Sequence, residues 1–297
     1  MRDGPARARA LPYLLVLVAA ASFGGNWVAA RLVNFEIPPF ALSFWRWAIA
    51  AALLLPLARG QLREDAPLIR RHWLKLFVFG AVGAGGFTLL GYWGVSSTTA
   101  INATLLNSSL PLFVVPLSWL LLGLKVSARQ LVGLALSLAG VVAIVSGGSV
   151  QTLAGLTLNS GDFLILCGAF MWAIYTVTLR WRPPLRALSF LFSTIASAAL
   201  VSLPFYLWEI WAGKSMTLTP TAVTVIAYLA IFPSILAYVC WNQAVAALGP
   251  NVVGFFNPVI PVFGILFAVL FLGEPLRAYH LAGFALVLAG VVLTSRR

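Results

Sequence analysis

Apolar residues along this chain come in long unbroken runs rather than in alternation. Ten such runs stand out, at 11–32, 38–57, 73–95, 101–122, 129–146, 162–179, 188–211, 221–248, 252–272 and 278–294. Runs of roughly 20 residues match the ~30 Å hydrocarbon core of a bilayer. Barrel strands would instead alternate apolar and polar positions over ~10 residues. The expected fold class is all-α integral membrane, with ten transmembrane helices. Arg2, Arg7 and Arg9 before the first run imitate a signal peptide. That run continues through Asn26 and Trp27 to Arg31 and feeds the next, so it reads as an uncleaved first helix.

Composition narrows the class. Apolar residues make up 61% of the 297 and charged residues only 9%, with mean hydropathy +0.98. Soluble domains carry roughly 25% charged residues. A cytosolic enzyme, a disordered chain and a disulfide scaffold are all excluded. Cys167 and Cys240 sit inside apolar runs and read as small hydrophobes.

The net charge of +12 suggests nucleic acid until its placement is read. Arg2, Arg7 and Arg9 lie in the tail; Arg59, Arg63, Arg70, Arg71 and Lys75 follow the second run. Lys125 and Arg129 follow the fourth, Arg180, Arg182 and Arg186 the sixth, and Arg296 and Arg297 the tenth. With ten spans all of these share one side, which the positive-inside rule makes cytoplasmic. The opposite loops hold Lys214 and Arg277, with Arg31 near a helix end. The partners expected are the lipid bilayer and a small-molecule substrate, with no nucleic acid. Both termini are expected in the cytoplasm.

The chain repeats itself. Shifted by 150 positions, Asn107 falls on Asn257, Pro111 on Pro261, Phe113 on Phe263 and Gly123 on Gly273. Residues 133–142 read against 283–292 as GLALSLAGVV against GFALVLAGVV. A weaker match at 149 sets Val28 over Val177 and Arg31 over Arg180. The units are 1–147 and 160–297, five helices each. Five is odd, so the second unit enters the membrane inverted. The loop with Lys125 and Arg129 is basic, while its counterpart with Glu274 and Arg277 is neutral. Inverted repeats are typical of alternating-access transporters, although they also build channels.

These features together resemble the drug/metabolite transporter superfamily, EamA type. The marks are Phe23-Gly-Gly-Asn-Trp-Val-Ala-Ala-Arg31, Arg46 in the second helix, Asn107-x-x-x-Pro111, Leu272-Gly-Glu-Pro-Leu276, and Gly283 with Ala289-Gly290 near the end. The resemblance covers nearly the whole chain. Within the superfamily the chain looks most like the YddG-type exporters of aromatic amino acids. One departure is Leu124-Lys125 in the first copy, where the second has Glu-Pro. The resemblance implies an inner-membrane exporter of small metabolites, above all aromatic or large neutral amino acids. A passive channel or facilitator, and export of another metabolite or a drug, are the alternatives.

Candidate chemistry lies inside the spans. A proline within a helix frees the carbonyl four residues earlier. Pro111 and Pro261, mid-span, would free those of Asn107 and Asn257, either as plain kinks or as hinges. Arg46 is the only basic residue well inside a span, and such a charge is costly. It has three readings: a contact to substrate or gate, a pairing with Glu36, or snorkelling outward. Trp73, Trp181, Trp208 and Trp211 suit an interfacial belt. Trp27, Trp93, Trp172 and Trp241 lie deeper, near Tyr92, Tyr175 and Tyr238. They pack or face lipid, or they wall a cavity with Asn26, Asn242 and Gln243 as polar anchors.

Several chemistries are missing. Asp3, Glu36, Glu64, Asp65, Asp162, Glu209 and Glu274 all fall in tails, loops or span ends, which disfavours proton–cation exchange. Facilitated, gradient-following transport is the simpler expectation. Neither a His-Glu-x-x-His zinc motif nor a phosphate-binding Gly-x-x-x-x-Gly-Lys loop is present. His72 and His280 lie near membrane edges, and the three lysines are peripheral. No enzyme activity, cofactor or metal is expected, and the chain is expected as a monomer or weak homo-oligomer.

Overall fold

The computed structural model describes residues 4–33, 35–98, 106–155, 159–272 and 275–295. Ten apolar helices organise them. They are α1 (Gly4–Leu32), α2 (Pro39–Glu64), α3 (Trp73–Ser97), α4 (Leu106–Leu122) and α5 (Ala128–Val145). They continue as α6 (Ser160–Thr178), α7 (Ala187–Trp211), α8 (Pro220–Leu248), α9 (Val259–Leu272) and α10 (Ala278–Ser295). No strand occurs among the described residues. Eight helical segments are long and apolar enough to cross a membrane, while Leu106–Leu122 and Ala278–Thr294 are shorter apolar helices. The expected start of the fourth span at Ile101, and Gly273 and Glu274, lie outside the described residues.

Local sequence sets the ends. Ser127 and Gln130 form a capping box at the start of α5, and Asn159 and Asp162 form another at α6. Each satisfies orphan N–H groups that lipid would not solvate. Gly123 ends α4 at φ +65°, a conformation that suits glycine.

Four groups can be drawn, α1 with α8 and α9, α6 with α3 and α4, α2 with α7, and α5 with α10. The α2–α7 pair is itself joined to the first along α2 and α8 and, more extensively, to the second along α7 and α3. Each three-helix group therefore mixes elements from the two sequence halves. The α5–α10 contact is glycine-lined. A Cβ on Gly133 would lie 2.7 Å from the Gly290 carbonyl, and one on Gly140 would lie 2.7 Å from that of Gly283. Small residues let the backbones approach, which is how helices associate in lipid. Ser137 Oγ adds a bond to the Val287 carbonyl.

The α2–α7 pair is fastened at both ends by side chains of one helix capping the other. Glu209, near the end of α7, accepts from the Ala41 N–H in the first turn of α2 at 2.8 Å. At the opposite end Asp65 accepts from Arg186 N–H and Gln61 from Leu188 N–H, at 2.9 and 3.1 Å. Arg186 also pairs with Glu64. A carboxylate at a helix N-terminus satisfies its orphan donors and its dipole. In between, Ser43 Oγ lies 3.2 Å from Ser202 Oγ and 3.0 Å from Thr88 Oγ1.

Two helices change pitch mid-course. α3 contains a π-helical stretch, Ala81–Gly86, and α8 contains another, Ala230–Leu236. Pro233 lies inside the second and supplies no N–H there.

The prolines differ from expectation. Pro111 is not mid-helix: it opens the regular helix Pro111–Leu122 after a turn at Ser109 and Leu110. Pro261 is the third residue of α9, which follows a short helix, Pro250–Gly254, and a four-residue turn. Proline fits the first turn of a helix, where its missing N–H costs nothing. Each site is therefore a break between two helical pieces, not a kink within one.

Candidate substrate site

Arg46 lies two turns into α2 and is only 2% exposed, which removes the snorkelling reading. The pairing with Glu36 is also overturned. Glu36 Oε2 accepts from Thr219 Oγ1, the residue capping α8, and its carbonyl accepts from Thr217 N–H. Arg46 instead donates from Nη1 to Asn26 Oδ1 at 2.7 Å and to Tyr92 Oη at 2.5 Å, and from Nε to Ser234 Oγ at 2.9 Å. Tyr92 Oη in turn donates to Asn26 Oδ1 at 3.0 Å. The guanidinium also sits 4.7 Å from the Trp47 ring centre. No carboxylate pairs with it among the described residues. Arg46 thus ties α2 to α1 and α8 on one side and to α3 on the other, through neutral partners only.

Ser234 owes its position to the π-stretch of α8. Its Oγ donates to the Leu229 carbonyl five residues back, at 2.8 Å, leaving its lone pairs toward Arg46. π-segments often mark functional sites because they aim side chains and carbonyls out of the regular ladder.

One turn further along α8, the aromatics interlock. Trp172 and Tyr175 of α6 stack at 5.2 Å, and Trp172 meets Tyr238 at 5.2 Å and Trp241 at 5.4 Å. Phe23 of α1 meets Trp172 edge-on at 5.5 Å, and Trp47 meets Tyr238 at 5.4 Å. These are edge and offset contacts of the kind aromatic quadrupoles favour. The polar atoms of Tyr175, Trp241 and Tyr238 are paired. Tyr175 Oη donates to Asn242 Oδ1 at 2.8 Å, Trp241 Nε1 to Thr176 Oγ1 at 3.2 Å, and Tyr238 Oη to the Gly83 carbonyl at 3.0 Å. That carbonyl belongs to the π-stretch of α3. The cluster is a seam between the α1–α8–α9 group and the α6–α3–α4 group.

A third contact crosses the same boundary. Asn257 Nδ2 donates to the Asn107 carbonyl at 2.7 Å, joining the two broken helices. The same carbonyl, which Pro111 cannot serve, accepts from the Leu110 N–H at 3.3 Å within its own turn, and the other half of the chain supplies its shorter bond.

Of the residues singled out by sequence, Asn26, Arg46 and Tyr92 meet in one node. Trp172, Tyr175, Tyr238, Trp241 and Asn242 meet in the seam, and Asn107 meets Asn257. Two stand apart. Trp93 is 46% exposed and lies outward against Phe40 at 5.8 Å, and Gln243 is exposed on the outer face of α8. Each follows a buried neighbour by one residue, a rotation of about 100° on a helix. Ser234, Thr88, Thr176, Phe23 and Trp47 were missed. Pro233 inside an apolar run was the available signal for Ser234.

The model of the EamA-like transporter family matches residues 10–146 and again 159–296. The chain belongs to that family. It is a multi-pass membrane transporter, part of the drug/metabolite transporter superfamily. A transporter of Archaeoglobus fulgidus whose cargo is not specified is 30% identical over 96% of this chain and 97% of its own. A protein of Salmonella typhimurium, named a probable amino-acid metabolite efflux pump, is 26% identical over 94% of this chain and 93% of its own. A solved crystal structure at 20% identity superposes with a TM-score of 0.79, covering 96% of each chain, which bears on the fold alone.

Proposed function

We propose that this transporter exports aromatic or other large neutral amino acids across the cell's inner membrane by alternating access. In this reading the chain makes ten spans as two inverted five-helix repeats, with both termini cytoplasmic. The α1–α8–α9 and α6–α3–α4 groups move against each other beside the α2–α7 pair. Several equivalences support the repeat. The π-stretches begin at Ala81 and Ala230, 149 positions apart. The Asn257–Asn107 and Ser137–Val287 bonds each join positions 150 apart. The swapped packing of helices from both halves gives two similar bodies, as rocking requires.

The observation that carries the cargo class is the aromatic seam. Trp172, Tyr175, Tyr238 and Trp241 are all nearly inaccessible, yet they belong to helices of opposite groups. When the groups separate, the seam becomes a cleft with aromatic walls and a few amide and hydroxyl anchors. Such a cleft suits a flat apolar side chain, each ring pair adding ~0.5–1.5 kcal/mol beyond area burial. The name of the Salmonella typhimurium relative points the same way.

The test is counterflow in reconstituted vesicles. Labelled phenylalanine or tryptophan should exchange faster than lysine or glutamate, with saturation. Equal exchange of all four, or movement of a quaternary cation instead, would overturn the cargo class.

A further inference from the structure

The seam accounts for a flat side chain but leaves Arg46 without a task. We infer that Arg46 is a carboxylate-binding group, and that the cargo's carboxylate displaces Asn26 from it during the transport cycle. The inference deepens the proposed function, since it rests on the Arg46 node belonging to the cargo path.

Three observations carry it. The guanidinium is 2% exposed, and none of its partners is an acid. A buried charge without a counter-charge is costly, and chains usually supply Asp or Glu beside it. This chain has Glu36 ten residues earlier on the same stretch but commits it to Thr219. Second, the fork is only partly used. Nε and Nη1 donate, while Nη2 donates to no described residue. A carboxylate takes two parallel guanidinium N–H groups, and such charge-assisted bonds are roughly twice as strong as those to a neutral amide. A carboxylate arriving at Nη2 and Nη1 therefore competes with Asn26 Oδ1 and wins.

Third, the node spans the boundary that must open. Asn26 and Ser234 lie in the α1–α8–α9 group, Tyr92 lies in α3, and Arg46 lies on α2 between them. Asn26 Oδ1 accepts from both Arg46 and Tyr92, so one amide oxygen links the two groups. Losing it to a carboxylate loosens that link. Trp47, next to Arg46, touches Tyr238 of the seam. Carboxylate and aromatic side chain would then be held by adjacent residues of one path.

The test uses acid–amide pairs: phenylalanine with phenylalaninamide, tryptophan with tryptophanamide, and indole-3-acetate with indole-3-acetamide. Each is scored by competition in counterflow and by thermal stabilisation of the purified protein. The wild type should prefer the acid in at least one pair by ten-fold or more, and Arg46→Gln should abolish that preference. Asn26→Asp provides a variant whose fold is not at risk. It places an internal carboxylate on Arg46, so it should stay folded with an equal or higher melting temperature and lose acid binding. If indole-3-acetate discriminates through Arg46 while the amino acids are inert, the amino-acid reading fails and this one stands. Equal treatment of acid and amide, binding of no acid, or a preference surviving in either variant, overturns the inference.

Discussion

Asn257 hydrogen-bonds through its side-chain amide to the main-chain carbonyl of Asn107, the residue 150 positions earlier. Each lies four residues before a proline at the break of an apolar helix. Pro111 has no N–H for that carbonyl, which keeps a 3.3 Å bond from the Leu110 N–H and gains Asn257 as a second donor where lipid offers none. The duplicated motif thus solves its own problem across the boundary between helix groups.

Removing that donor should be felt in stability. Asn257→Ala should lower stability by about 0.5–1.5 kcal/mol, the net worth of one hydrogen bond, because the Leu110 N–H still serves that carbonyl. Asn257→Asp, which sets an acceptor against an acceptor, should cost more. Unfolding in mild detergent, followed by tryptophan fluorescence, measures both.

The prolines should matter to rate more than to stability. Pro111 occupies a first-turn position, so Pro111→Ala should change stability by less than about 1 kcal/mol. The new N–H would be free to bond Asn107 and extend α4 backwards, in competition with Asn257. Slower counterflow at near-normal membrane insertion is expected for Pro111→Ala and Pro261→Ala. Full-speed transport by the double variant would show the breaks to be incidental.

Glu209 is a span-end acid that turns out 99% buried, and its value lies in its form as a cap. Glu209→Gln retains an acceptor for the Ala41 N–H and should cost under about 1 kcal/mol, chiefly the dipole interaction. Glu209→Ala orphans that N–H and should cost about 1–3 kcal/mol. Comparing melting temperatures of the two separates capping from charge.

The sequence made the helices and their duplication legible because apolar run length and a 150-residue self-match are one-dimensional signals. It also placed Asn26, Arg46 and Tyr92 among the candidates. It could not say that they meet, since Asn26 and Tyr92 are 66 positions apart and their contact depends on how α1 and α3 flank α2. Glu36 looked like the natural partner of Arg46 from separation alone. The winning competitor was Thr219, 183 positions away at the cap of α8. Trp93 and Gln243 looked deep because depth along a helix is readable, whereas facing is not when the whole helix is apolar. The π-stretches left only faint marks, a glycine-rich run at 83–86 and Pro233.

Orientation remains open to a direct test. With Cys167 and Cys240 replaced, single cysteines at Ser97 and Ser149 should react with an impermeant maleimide added outside intact cells. Cysteines at Arg63 and Arg182 should react only after permeabilisation. Labelling of Ser97 from the cytoplasm alone would sink the ten-span inverted arrangement.

Glycine substitutions should separate the α5–α10 contact from helix propensity. Gly60 lies within α2 with nothing within 4 Å of where a Cβ would stand. Gly60→Ala should therefore be neutral or stabilising, by up to about 1 kcal/mol, because alanine is the better helix former. Gly140→Ala gains the same propensity but drives a methyl to 2.7 Å from the Gly283 carbonyl and 2.9 Å from the Leu286 Cβ. Those atoms are held by their own helices, so the pair must separate and lose contacts along its length. The expected net loss is about 1–3 kcal/mol, the usual cost of overpacking. Because α5 and α10 touch the other groups little, their separation should leave the Arg46 node in place. Gly140→Ala should then melt earlier yet retain its substrate preference at low temperature. Equal melting temperatures for Gly60→Ala and Gly140→Ala would mean that the close approach of the two helices contributes nothing to stability.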